Sequence, residues 1–427
     1  MTRAFLSSRL PALALAAGYL AAATPAAAQA ANPPTGESSD QPANRRTTTY
    51  FDFSAGAGYS SNPLLQLRSQ SSAFARLSLQ AFHSWNSERG STWLSGYVED
   101  TTYVKGSYGS KVIFRVNAHT DQALSEKVRV YGDVTASGDI AGQLTNRFTP
   151  DPIVLPPPET NPPPPTNLEL FNLAGRQYRV GAQVGASIAA GERSSVSLSA
   201  GVNHGFFTGS NTVADYTTYE AGLGWQHKLS ERTSAGVSVN LQRQDFQGSD
   251  YANVVNTMVN LNTQLAQDIQ ASGSVGILAI YEHRGGQNDH SYSPSFSGSV
   301  CKSGERSSFC ARVSRDAQAP LGIGIAQGAR SASINTTFDL SYRRRVGEFS
   351  TLYASANGTR NSTVERLQNG RFQSTYLSGL VGYDHKIGNR LFAGVTVGAR
   401  RLYQTGPDPK MDFNGNFYLR YRLGDLL

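Results

Sequence analysis

Polar and apolar residues alternate one by one along most of this chain. In SSVSLSAGVN, Val196, Leu198, Ala200 and Val202 oppose Ser197, Ser199, Gly201 and Asn203. In ASINTTFDLSYR, Ile334, Thr336, Phe338, Leu340 and Tyr342 oppose Asn335, Thr337, Asp339, Ser341 and Arg343. A period of two means a strand with one apolar and one polar face. The same pattern recurs in VNTMVNLNTQL and SAGVSVNLQRQ. A soluble β-sandwich alternates too, so alternation alone does not fix the fold.

Three features separate the two architectures. The polar face is built of small and amide residues rather than Lys and Glu, which suits a water-filled lumen. The alternating runs are longer than the roughly six residues common in sandwiches and long enough to cross a bilayer at a tilt. The connections form a second alternation. NSERGS (Asn86–Ser91), LSEKV, AGERSS, LSERTS, AQDIQA, KSGERSS, RRVGE and KIGNR are short, and five of them carry Ser/Gly-Glu-Arg/Lys. Longer connections lie between them, from Ser61–Gln70 to Gln404–Pro409. Short turns on one side and long loops on the other are the pattern of a membrane barrel.

The expected fold is therefore all-β: a closed antiparallel barrel of about 18 strands, from 48–60 to 410–423. Sixteen is the other even count, because the strands expected at 291–301 and 308–315 are weak. An even count puts both chain ends on the short-turn side, which is the periplasm. Residues 1–30 read as a signal peptide, with Arg3 and Arg9 before the apolar Leu10–Ala23 and a small-residue cleavage site at Ala28 and Ala30. The stretch 31–46 reads as disordered, and 47–427 as the barrel. The localisation that follows is the outer membrane, in contact with its lipid and lipopolysaccharide.

Alternation also predicts which charges face the lumen. Arg76, Arg115, Arg129, Arg179, Arg312, Arg343, Arg420 and Arg422 fall there, with Glu99, Asp133, Glu220, Glu282, Asp339 and Asp384. Clustered arginines would draw in an anionic solute or polymer; arginines interleaved with carboxylates would satisfy one another. The aromatic residues Tyr50, Phe51, Trp85, Trp93, Tyr97, Tyr216, Tyr219, Trp225, Tyr281, Tyr376, Tyr383, Tyr418 and Tyr421 lie toward strand ends, where girdles at the two interfaces are expected.

Two segments stand apart. Cys301 and Cys310, the only cysteines, flank the turn KSGERSSF, and a hairpin disulfide is expected in an oxidising compartment. The connection containing the Pro-rich loop 146–168 has nine prolines between Pro150 and Pro165, a stiff excursion excluded from any ladder. It reads as a solvated spacer, a partner-recognition segment or a pore constriction.

The composition limits the chemistry. The net charge is +7 with no Lys/Arg-rich tract, so nucleic acid is not an expected partner. The seven histidines form no H-E-x-x-H, and no Ser/His/acid set is evident, so no enzyme, metal or cofactor is expected.

The first strand and loop, YFDFSAGAGYSSNPLL, end in Gly58, Tyr59, Ser61, Asn62 and Pro63. This stretch resembles the outer-membrane β-barrel porins found beside exopolysaccharide and surface-polymer export genes in proteobacteria. The resemblance implies an outer-membrane barrel with a role in polymer or solute passage, and it supplies no catalytic residues. The final strand, NFYLRYRLGDLL, departs from the common pattern in ending on Leu427 rather than Phe. The expected function is a porin-like channel for polar solutes or a secreted polysaccharide, with a periplasmic export partner in the second case. The competing expectation is a non-conducting anchor for a surface-layer, adhesin or secretion-complex partner.

Overall fold

The computed structural model describes residues 47–63, 65, 67–68, 70–105, 110–140, 176–208, 215–246, 250–284, 286–318, 333–363, 373–404 and 408–425. The expected signal peptide, the stretch 31–46 and the Pro-rich loop lie outside them. Among the described residues no helix is long and apolar enough to cross a membrane.

Eighteen antiparallel strands form a single sheet in which every strand pairs with its neighbours in sequence. They are β1 (Thr47–Ser60), β2 (Ser72–Ser87), β3 (Gly90–Tyr103), β4 (Ser110–Ala123), β5 (Val128–Ile140), β6 (Arg176–Ala189), β7 (Ser194–Thr208), β8 (Tyr216–Lys228) and β9 (Thr233–Phe246). They continue as β10 (Tyr251–Ala266), β11 (Ile269–Arg284), β12 (Gln287–Ser303), β13 (Ser307–Gln318), β14 (Ser333–Arg345), β15 (Ser350–Thr363), β16 (Gln373–Lys386), β17 (Leu391–Gln404) and β18 (Asp412–Gly424). β1 pairs with β18, from Tyr50 opposite Gly424 to Ser60 opposite Asn414, so the sheet is closed. Closure leaves no edge of unpaired backbone groups, the condition for a sheet to live in lipid.

Eight of the ten connections of two to four residues, together with Thr47 and Gly424, lie at one end, here the turn end. The opposite, loop end holds the longer connections. Two of these, 247–250 and 285–286, are as short as turns. The weak strands expected at 291–301 and 308–315 are longer than that, 287–303 and 307–318. Serines and a proline conceal β12, whose inward positions are nearly all Ser.

The outward face is apolar. Leu77, Val259, Val275, Ile277, Val397 and Phe417 are all more than half exposed in the isolated chain, as a lipid-facing band requires. Exposed rings mark both rims: Phe51, Trp85, Trp225, Phe309, Tyr383 and Tyr421 near the turn end, and Tyr59, Tyr219, Tyr281, Tyr292 and Tyr403 near the loop end. The wider girdle expected from sequence needs correction. Tyr50, Trp93, Tyr97, Tyr216, Tyr376 and Tyr418 share the face of Asp52, Glu99 and Arg420, which is the inside. These six were placed by distance from the strand ends, and residue parity overrides that measure.

Some inward rings lie flat because a neighbouring strand offers glycine beneath them. Tyr353 covers Gly382 and Tyr418 covers Gly394, so closely that a Cβ at either glycine would run into the ring. The two hydroxyls are 3.3 Å apart, and Tyr418 donates a hydrogen bond to Asp384. Folding these rings onto the wall keeps large residues inside without filling the lumen.

Cys301 and Cys310 stand directly opposite each other on β12 and β13 and form a disulfide beside the turn 304–306. Val300 and Phe309 face outward, so the bridge is on the inner face.

The two-faced wall makes a direct prediction. Val275→Arg puts a charge in the lipid band near the middle of β11 and should destabilise the barrel by about 2–4 kcal/mol. Ser274→Arg, one residue away on the inner face, should cost far less. Urea unfolding of the barrel in vesicles measures both; equal losses would contradict the facing.

Candidate functional site

The inner wall is the candidate site, and it has two unlike arcs. Strands β7–β12 present serine, asparagine, glutamine and glycine. β12 alone turns Ser291, Ser293, Ser295, Ser297 and Ser299 inward. β10 contributes Asn256, Asn260 and Asn262, and β9 contributes Asn240, Gln242 and Gln244. Hydroxyls and amides bond across strands: Ser272 to Ser299 at 2.7 Å, Ser274 to Ser297 at 2.7 Å, and Asn260 Nδ2 to Ser238 Oγ at 3.0 Å. Among the described side chains this arc brings no arginine inward. Its charges are Glu220, Glu282 and Asp289, with Lys228 at the turn-end rim.

Among the described side chains the inward arginines lie on the other arc, β13–β18 with β1–β6, and four of them, Arg76, Arg129, Arg400 and Arg422, pair with a carboxylate. Arg422 Nε and Nη2 donate to the two oxygens of Asp52 at 2.7 and 2.6 Å, with both side chains buried. Arg400 Nε and Nη2 donate to Asp412 Oδ2 at 2.9 and 2.6 Å. Arg76 lies 3.5 Å from Glu99, which also accepts from Tyr97 and Thr101. Arg129 reaches Asp121 at 2.8 Å, and His119 reaches Asp133 at 2.7 Å. Arg312 stands opposite Asp339 on the ladder. Arg179 lies beside Gln177, whose amide oxygen, oriented to satisfy both groups, accepts from it at 2.8 and 2.9 Å.

Every charged residue expected to face the lumen stands on the inner face. The remaining members are Arg115 opposite Tyr97, Glu220 opposite Gln242, Glu282 opposite Asp289, Arg343 opposite Tyr353, and Asp384 opposite Thr351. Arg420 lies 4.7 Å over the Phe392 ring, and its Nε and one Nη have no hydrogen-bond partner among the described residues. Of the arginines expected there, Arg76, Arg129 and Arg422 each pair with a carboxylate. Sequence reasoning missed Asp52, Arg400 and Asp412, which form the two best-buried pairs. Alternation marks all three as inward, but the partners Asp52 and Arg422 are 370 residues apart and give no local signal.

Asp412 also organises the Ser-Asn-Pro stretch after β1. Ser60 Oγ donates to its Oδ1 at 2.6 Å and the Asn62 backbone N–H at 2.9 Å. Asn62 Nδ2 donates to the Lys410 carbonyl, and Arg400 Nη2 to the Pro63 carbonyl. The chain then turns so that Leu65, at φ 48°, packs against the inward Tyr376 and Leu402. Positive φ in a non-glycine residue costs about 1–3 kcal/mol and persists only where surroundings enforce it. The start of the first loop thus folds over the inner face beside the β1–β18 junction.

Among the described residues no three His, Cys, Asp or Glu side chains gather as a metal site.

The Asp412 pair should matter far more than an exposed pair. Asp412→Ala leaves a buried guanidinium uncompensated and should cost about 3–5 kcal/mol. Arg129→Ala removes a half-exposed pair and should cost under about 1 kcal/mol. Urea midpoints of the two variants in vesicles test the contrast; similar losses would contradict it.

No protein-family profile matches the chain, and no curated protein matches it. Solved structures do. The outer membrane protein opdK from Pseudomonas aeruginosa matches at 10% identity, over 88% of this chain and 99% of that one, with a TM-score of 0.44. Pseudomonas aeruginosa OccK2 (OpdF), solved in complex with glucuronate, matches at 10% identity over 88% and 98%, with a TM-score of 0.43. The FrpB iron transporter from Neisseria meningitidis (F5-1 variant) matches at 9% identity over 88% and 82%, with a TM-score of 0.42.

Proposed function

We propose that this protein is an outer-membrane channel for polar, predominantly uncharged, hydroxyl-rich solutes, either small molecules or a secreted polysaccharide. In this reading residues 1–30 direct export, the turn end faces the periplasm and the loop end faces outside. The observation that carries it is the hydroxyl and amide arc of β7–β12, opposite an arc in which Arg76, Arg129, Arg400 and Arg422 are paired with carboxylates. Closed barrels of 16–18 strands enclose an aqueous channel unless a loop or plug fills it.

Such a wall exchanges hydrogen bonds with a hydroxylated solute at little net cost, since each hydroxyl donates and accepts. Weak, repeated contacts allow passage; one deep site would trap the solute. Pairs such as Arg422–Asp52 and Arg400–Asp412 leave little free charge to concentrate anions. Arg343 and Arg420 are the positions where residual positive charge would act on a passing solute.

The test is single-channel recording in planar bilayers, paired with swelling of liposomes in sugars and in charged solutes of matched size. Conductance with little charge discrimination is the expected result. A correctly folded barrel that stays silent would overturn the channel reading. Stoichiometric co-purification with a periplasmic or surface partner, without conductance, would favour an anchoring role.

A further inference from the structure

The ladder between β12 and β13 stops early. Its last pair is Phe296 with Arg315, although β12 runs on to Gln287 beside β11 and β13 runs on to Gln318 beside β14. Continued pairing would set Ala317 opposite Pro294, and proline has no N–H to offer a ladder. From that point the two strands part.

The outer end of β13 goes inside. By alternation Ala317 shares the outward face of Ala311 and Val313, yet it packs against Val254, Leu278 and Ile280. Those three are inward side chains of β10 and β11, all buried, and form an apolar patch on a wall otherwise made of hydroxyls and amides. Arg315 secures the parting. Its Nε donates to the Pro294 carbonyl at 3.3 Å, Nη1 to Thr336 Oγ1 at 3.3 Å and Nη2 to Ser293 Oγ at 3.5 Å. The guanidinium thus supplies donors where the ladder has ended. Ser293, Ser295 and Asn256 are buried on the same stretch of wall.

We propose that the outer end of β13, seated through Ala317 against the inner face of β10 and β11, is a built-in constriction that sets the size limit of the channel. The size limit rests on the channel reading above; the in-fold does not. Solute then passes between this in-folded end and the arginine-bearing arc.

The in-fold is tested with the double variant Ala317→Cys/Leu278→Cys in the full-length protein refolded under oxidising conditions, each single variant serving as control. The expected result is a cross-link seen by non-reducing gel and peptide mapping, beside the native Cys301–Cys310 bridge, with conductance unchanged by the lock. Absence of the cross-link in a folded barrel overturns the in-fold. Ala317→Glu, which sets a charge against the apolar patch, should expel the hairpin end, raising conductance about two-fold or more and admitting larger sugars. Unchanged conductance and size limit in that variant, with the cross-link formed in the other, overturn the constriction. Silence of every barrel, wild type included, fails the channel reading and the size limit with it, while the cross-link still decides the in-fold.

Discussion

Everything else in this structure depends on pairing backbone groups where there is no water to pair them. In lipid each unsatisfied N–H or C=O costs several kcal/mol, so the first strand must find the last. That contact joins residues more than 350 positions apart in sequence, and side chains reinforce it. Arg422–Asp52 bridges β18 and β1 near the turn end. Near the loop end Asp412 gathers Ser60, Asn62 and Arg400. Arg422–Asp52 is buried and bidentate, and Arg400 brings two N–H groups to one oxygen of the buried Asp412, geometries in which attraction and hydrogen bonding can offset the loss of hydration. The Ser-Asn-Pro stretch, noticed first as a resemblance, has a physical task at this junction.

The lumen follows from how the wall spends its charges. Arginine and carboxylate interleave on the strands flanking the closure, while the far arc is nearly free of cations. Two segments turn inward over this wall: the start of the first loop, with Leu65 on Tyr376 and Leu402, and the outer end of β13, with Ala317 on Val254, Leu278 and Ile280. Each lands on inward apolar side chains, which would otherwise be misplaced facing water. These islands on a polar wall act as docking marks for chain that leaves the sheet.

Much of this was legible in sequence because a period of two assigns every strand residue to a face. The strand count, the turn end, the hairpin disulfide and the inward position of Arg76, Glu220, Asp339 and Arg420 all follow from parity and turn chemistry. The reading failed where position along the strand was used instead of parity, as for Tyr50 and Tyr418, which line the inside. It failed differently at Ala317, whose residue face is outward in register but which has moved within the wall. Pro294 was the available signal, since a proline in mid-strand announces that one side of the ladder is unused. A pair such as Arg422–Asp52, 370 residues apart, leaves no such mark.

The most direct measurement is accessibility along β11 by single-cysteine scanning from Ser272 to Ile280 in the membrane-embedded barrel. A water-soluble maleimide should label Ser272, Ser274 and Gly276 positions, and a lipid-partitioning probe should label Gly273, Val275 and Ile277 positions. Leu278 and Ile280 positions should resist both, covered by the end of β13. Labelling that lacks the period of two, or that reaches every position from water, would contradict a closed two-faced barrel.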